Sequence, residues 1–190
     1  MSVAAPEYGE VVAFLESRSA ERLPHVQGSL IEHLDGTYRL LKEWGNPPQI
    51  CNAGLCHAVY GTDGFAVKLL EVGTERGELA GIIGPEAESL VYFYGSCDRQ
   101  YLYARIRESQ PIRFRDRFDG RVFVPDAALF ASFMELTFAN ELDMFGKDLA
   151  IVEPHRMSFG PLFGHSRAFV SQAAFAYFVS IFGEADISQA

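Results

Sequence analysis

Two histidines are spaced so that consecutive helices could bring them to one point. His33 sits in Ser29-Leu30-Ile31-Glu32-His33-Leu34, and His57 in Ala53-Gly54-Leu55-Cys56-His57-Ala58-Val59-Tyr60-Gly61-Thr62, 24 residues further on. Imidazole is the commonest side-chain ligand for a transition metal. Two of them on facing helices point to a buried metal site, where an ion activates water or polarises a substrate oxygen. A lone buried histidine is more simply a hydrogen-bonded core residue. A pair beside small and apolar neighbours favours a shared site.

The elements that must position the pair are helices. Ser29 with Glu32 three residues on is a capping-box pattern, and Leu30, Leu34, Thr37, Leu41 and Trp44 recur at helical spacing until Gly45-Asn46-Pro47-Pro48. A third helix is expected from Pro48 to Tyr60, stopped by Gly61 and Thr62-Asp63-Gly64. On its wheel His57 lines up with Ile50, Ala53 and Gly54, a face of small residues. His33 lies at the edge of the face formed by Leu30, Leu34 and Trp44. A first helix over 7–20 carries Val11, Phe14 and Leu15 on one side and breaks at Leu23-Pro24.

Further along, helices are expected over 64–72, 75–82, from Pro85 with Ala87, Leu90, Val91 and Tyr94 inward to a break at Gly95-Ser96, and over 97–108. The period then changes to two. Ile112-Arg113-Phe114-Arg115-Asp116-Arg117-Phe118 alternates, Asp119-Gly120 reads as a two-residue turn, and Arg121-Val122-Phe123-Val124 returns, which is a hairpin signal. Residues 126–144 and 167–183 read as strongly apolar helices, separated by a glycine-rich loop at Met157–Gly164 flanked by His155 and His165. One mainly all-α domain over 1–190, with a small β-hairpin near 112–124, is the expected architecture.

Ala53-Gly54-Leu55-Cys56-His57 with Val59 and Thr62 resembles the second-helix motif of the HD-domain superfamily, in which an apolar stretch precedes His-Asp. It is similar to the hydrolase domain that removes pyrophosphate from guanosine tetraphosphate, and to a bacterial group of HD-like proteins sharing Ala-Gly-Leu-x-His-x-Val-Tyr-Gly-Thr. His33, preceded by Gly28, matches the superfamily's first histidine in setting, and Asp98-Arg99 matches its later Asp-Arg dipeptide. The likeness covers about residues 25–105. It implies an HD-like helical bundle and a metal set of His33, His57 and Asp98, with open positions for one divalent ion (Zn, Mn or Fe). His25 is then a fourth ligand or a catalytic acid–base group, or else an exposed loop histidine. Asp98 and Arg99 carry the remaining catalytic roles.

Departures from the motif bear on the chemistry. Ala58 stands where the superfamily has its bridging carboxylate, which argues against two metals. Tyr60 and Thr62, flanking Gly61, replace its acidic pair and become candidate substrate contacts. The implied activity is hydrolysis of a small, anionic molecule. The alternatives are a mononuclear non-haem iron oxygenase, as in HD-like relatives resembling inositol oxygenase, and a ligand- or partner-binding module without turnover.

Composition narrows the partners. The 190 residues have a formal net charge of -9, and that acidic balance disfavours nucleic acid. Seven of the 13 arginines nevertheless fall between Arg99 and Arg121. Arg113, Arg115 and Arg117 share one hairpin face, read as a solvated edge or as an anion site near Asp98-Arg99. Asn140-Glu141, on an apolar helix, is a candidate substrate contact or a satisfied buried pair. The longest apolar run, Ala173–Phe182, is short of the roughly 20 residues that span a bilayer. With no basic, apolar leader at the N-terminus, and Cys51, Cys56 and Cys97 best read as buried inert thiols, a cytoplasmic protein is expected. The helix at 167–183, apolar on nearly every side, adds the expectation of a homodimer.

Overall fold

Short polar side chains set several of the helix starts, because each accepts hydrogen bonds from backbone N–H groups that a first turn leaves without partners. The computed structural model describes residues 6–25, 28–106 and 111–183. Among these the chain is mainly helical, with two small antiparallel sheets of two strands each. It falls into two compact units, Met1–Ser96 and Cys97–Ala190. No helix of the described residues is long and apolar enough to cross a membrane.

In the first unit, α1 (Tyr8–Ser17) buries Val11 and Leu15. A 3-10 turn at Ala20–Arg22 leads into β1 (Pro24–His25), which pairs with β2 (Gly28–Ser29). Strands of two residues carry no alternation, so the sequence pattern does not reveal this hairpin. Ser29 then caps α2 (Leu30–Glu43): its hydroxyl accepts from the Glu32 N–H, and the Glu32 carboxylate accepts from the Ser29 N–H at 2.7 Å. The capping box thus sets the register that turns His33 inward, with Leu30, Leu34, Thr37, Leu40 and Leu41.

Helix α3 (Pro48–Cys56) ends four residues before its expected stop, so His57 is its C-cap and not a helical residue. Residues 57–60 form turns, after which Gly61 takes φ 70. A Cβ there would lie 3.2–3.4 Å from the carbonyl oxygens of Phe65, Val67 and Ala66, so the position requires glycine. The helix expected over 64–72 is absent. Thr62 and Phe65 bridge each other instead, and the Val59 carbonyl takes the Leu69 and Leu70 N–H groups at 2.8 and 3.0 Å. Next come α4 (Arg76–Ile83) and α5 (Pro85–Ser96). The latter buries Ala87, Leu90, Val91 and Tyr94 as expected and ends at Ser96, so the expected break follows at Cys97-Asp98. Helix α3 packs against both α2 and α5.

The second unit opens with α6 (Arg99–Arg105), capped by Asp98; residues 107 and 108 of the expected 97–108 helix lie outside the described residues. In the hairpin, β3 (Phe114–Arg115) pairs with β4 (Val122–Phe123), and Ile112 and Phe114 are buried as the alternation requires. The turn is longer than the two residues expected. Asp116 and Arg121 close it, the Asp116 N–H donating to the Arg121 carbonyl at 2.9 Å, and the Asp116 carboxylate accepts from the Phe118 N–H at 2.8 Å.

Asp126 caps α7 (Ala127–Lys147). The glycine-rich stretch expected as a loop lies within α8 (Val152–His165), which contains Gly160, Pro161 and Gly164. Packing overrides propensity there. Phe163 is fully buried, with its ring centre 4.4 Å from Phe138 and 5.3 Å from Phe178. The last helix is α9 (Gln172–Phe182), preceded by a 3-10 turn at Arg167–Phe169. Glu135 fixes its start by accepting from the Ser171 N–H and hydroxyl at 2.8 and 2.7 Å. The exposed side of α9 presents Gln172, Ala173, Ala176 and Ser180, while its aromatic residues are buried or half-buried. The homodimer was expected from a helix apolar on nearly every side; on α9 the most exposed positions are small or polar, and the aromatic ones are at least half-covered within the unit.

Phe163 joins α7, α8 and α9 through one ring. Truncation in Phe163→Ala should cost about 3–5 kcal/mol, as for other buried aromatic residues. Urea unfolding followed by circular dichroism measures it, and a loss below about 1 kcal/mol would mean that α8 does not depend on this packing.

Candidate functional site

Three imidazoles from three segments of the first unit meet in one cluster. β1 supplies His25, the first turns of α2 supply His33, and the cap of α3 supplies His57. His25 and His33 stack in parallel, ring centres 4.2 Å apart and planes 7° from each other. His33 and His57 meet edge to face at 5.2 Å and 87°. Tyr94 of α5 closes the far side at 5.3 Å from His57, and Phe65 lies 5.5 Å from His25. His33 and His57 are buried at 4% and 2% exposure, whereas His25 is half-buried and forms the solvent side of the stack.

The end of α3 orients His57. Its Nδ1 lies 2.7 Å from the Gly54 carbonyl oxygen, which can only accept, so Nδ1 carries the hydrogen. In the neutral ring Nε2 then holds the lone pair. A metal-ligating histidine almost always donates its other N–H to such an oxygen. Two imidazoles on one tetrahedral ion, with metal–nitrogen distances of about 2.0–2.1 Å, would have ring centres roughly 5 Å apart. The His33–His57 spacing fits that requirement.

The full ligand set implied by the HD resemblance does not fit. The parallel planes of His25 and His33 set their ring nitrogens side by side and not towards a common point. Both oxygens of Asp98 have partners in the second unit: Oδ1 accepts from the Tyr101 N–H at 2.8 Å, and Oδ2 pairs with Arg115 at 2.8 Å. Helix capping and a guanidinium partner account for that carboxylate without a metal. Among the described residues, no group of three or more His, Cys, Asp or Glu side chains is arranged to hold a metal ion.

The remaining candidates have definite places. Tyr60 is fully buried, and its hydroxyl donates to Glu88 Oε1 at 3.0 Å. That hydroxyl is committed to the core, which corrects its reading as a substrate contact. Thr62 is buried, and its backbone bonds to Phe65. In the second unit, Arg99 pairs with Glu141 at 3.2 Å, and the Asn140 side-chain amide donates to the same Glu141 oxygen at 2.9 Å. The Asn140-Glu141 pair is thus a buried, mutually bonded partner for Arg99. His155 and His165 bond through Nδ1 to the Ile151 and Pro161 carbonyls within α8, so they do not flank a lid.

In the hairpin, Arg113 and Arg117 are exposed. Arg115 pairs with Asp98 and lies 4.5 Å over the Tyr101 ring. All three cysteines are free and buried, and burial pushes the Cys56 thiol far above its usual range.

Glu88 was missed as part of this region. It is 5% exposed and takes two hydrogen bonds from Arg76, at 2.6 and 2.8 Å. The signal was present: Glu88 lies one turn before Val91, on the inward face of α5, where a carboxylate needs a partner.

Residues 14–99 are similar to the family model described as Domain of unknown function (DUF6817), a stretch that contains His25, His33, His57, Asp98 and Arg99. No curated protein and no solved structure matches the chain.

Burial raises the Tyr60 hydroxyl well above the ordinary value of 10.0; the charge and hydrogen bond of Glu88 add to the shift, and Arg76 opposes it. The folded chain therefore keeps this proton where the unfolded chain loses it. The stabilising contribution is complete below pH 10 and is lost as pH rises above it. Denaturant midpoints across alkaline pH should fall in the native chain and fall less in Tyr60→Phe. Equal slopes would show that Tyr60 titrates as an exposed phenol.

Proposed function

We propose that this chain is a metal-dependent enzyme of HD-like fold that acts on a small, anionic molecule at the histidine cluster, with hydrolysis as the first reading. The observation that carries the proposal is the edge-to-face contact of His33 and His57 at 5.2 Å, with the His57 N–H anchored on the Gly54 carbonyl. His33 and His57 would hold one divalent ion. When bound, that ion would supply Lewis acidity and a water of lowered pKa. His25, half-buried on the solvent side of His33, would exchange a proton with the substrate, a role to which imidazole is suited.

One ion per chain is proposed, not two. Ala58, 3% exposed and next to His57, brings no oxygen where a second ion would need an anionic bridge. Two imidazoles leave the ion's charge uncompensated, which favours an anionic substrate or bound hydroxide. A cytoplasmic setting and a small-molecule partner, with no nucleic acid or membrane partner, belong to the same proposal. They are supported by the free thiols and the net charge of -9.

A second reading is a ligand-binding module without turnover. It is favoured by the lack of any three-ligand group among the described residues. Elemental analysis of full-length protein purified without a tag separates the two. One zinc, manganese or iron per chain, lost in His57→Ala, is the expected result. Protein without metal would favour the binding module, and metal retained in His57→Ala would refute the ligand assignment.

A further inference from the structure

We infer that Tyr60, Glu88 and Arg76 act as positioning residues for the histidine cluster, because their hydrogen-bonded line, running from buried Tyr60 and Glu88 to half-exposed Arg76, anchors the turn that presents both His57 and Phe65. The inference rests on the proposed role of the histidines. The turn begins at His57, which meets His33 edge to face, and ends at Phe65, whose ring lies 5.5 Å from His25. One short segment therefore bounds the imidazole stack on two sides.

Little regular structure holds that segment. Its backbone is tied by the Thr62–Phe65 bridge, with N···O distances of 2.7 and 3.2 Å, and by the Val59 carbonyl that takes the Leu69 and Leu70 N–H groups. The side-chain anchor is Tyr60, three residues after His57, with its hydroxyl 3.0 Å from Glu88 Oε1. Glu88 is fixed in turn. Arg76 Nε donates to the same oxygen at 2.6 Å, Arg76 Nη2 donates to Oε2 at 2.8 Å, and the guanidinium lies 3.8 Å over the Tyr92 ring. Arg76 of α4 thus holds both oxygens of a carboxylate carried by α5, and the carboxylate holds the turn.

A carboxylate buried as deeply as Glu88 is a poor device for stability alone, since packed apolar groups of similar volume often serve as well. What it adds is a single preferred position for the phenol, and through Gly61 and Val59 for the residues on either side. Losing the Tyr60 hydroxyl leaves the Arg76–Glu88 pair intact but releases the turn.

The test uses the full chain with nitrogen-labelled histidine, comparing Tyr60→Phe with Tyr8→Phe. Tyr8, which is exposed, also donates its hydroxyl to a carboxylate in the same unit, to Asp35 at 2.7 Å, and serves as the control for losing such a bond away from the cluster. Imidazole nitrogen resonances are recorded in the metal-free protein, and Zn²⁺ affinity is measured by calorimetry. Tyr60→Phe should shift the His57 resonances away from the single Nδ1–H form and weaken Zn²⁺ by about ten- to a hundred-fold, as for lost partners that orient a ligand. Tyr8→Phe should leave both unchanged. A native-like imidazole spectrum in Tyr60→Phe overturns the inference, as does an equal change in both variants, which would mean general loosening. If the native chain binds no Zn²⁺, the proposed function falls, while the metal-free spectra still decide the positioning role.

Discussion

The buried end of α3 is the constraint on which the first unit depends. A helix leaves its last carbonyls without intrahelical partners, and a terminus enclosed by α2 and α5 must satisfy them from the protein itself. His57 does so for Gly54, and the same hydrogen bond fixes the ring, its tautomer and the direction of the remaining nitrogen. Structural need and chemical readiness coincide in one contact. The neighbours follow from it: Gly54 has no side chain to obstruct the ring, Tyr94 closes one edge, and His33 meets the other because the Ser29–Glu32 capping box sets the register of α2.

What could be read from the sequence tracks how local the determining interaction is. The capping box, the inward face of α5 and the alternation around Phe114 all rest on residues within a few positions of each other, and each appears in the structure as expected. The His33–His57 encounter was legible for the same reason, since both wheels place the rings on packed faces. The termination of α3 was not. A favourable helical pattern runs on to Tyr60, and only the folded neighbours make His57 a cap. The phenol of Tyr60 was misassigned because its partner, Glu88, lies 28 residues away and becomes adjacent only when α4 and α5 assemble. Helix α8 was missed because Gly160, Pro161 and Gly164 argue against a helix locally, and the compensating contacts of Phe163 come from α7 and α9.

The second unit handles its polar groups by pairing them at home. Arg99 goes to Glu141, Arg115 to Asp98, Lys147 to Asp143, and Ser171 to Glu135. Among the described residues Glu141 and Asp143 have a cation, Glu135 a helix start and Asp116 the Phe118 N–H of the hairpin turn, which is the condition for keeping such groups out of water. The arginine-rich stretch after Arg99 thereby loses part of its case as an anion site. Arg115 is engaged, and Arg105 lies 3.9 Å over Tyr101, the ring that Arg115 also covers. The chemistry proposed for the chain accordingly rests on the first unit.

Three imidazoles meet in one cluster of the first unit, His25 stacked on His33 and His33 edge to face with His57. In the proposed site, His33 and His57 would be two ligands of a single ion, and water or substrate would complete its coordination. Diffraction from crystals of the full chain soaked in zinc, recorded at the zinc absorption edge, tests this most directly. One anomalous peak within bonding distance of a nitrogen of both His33 and His57 is the expected result. A peak elsewhere, or none with both histidines ordered as described, would contradict a two-histidine metal site.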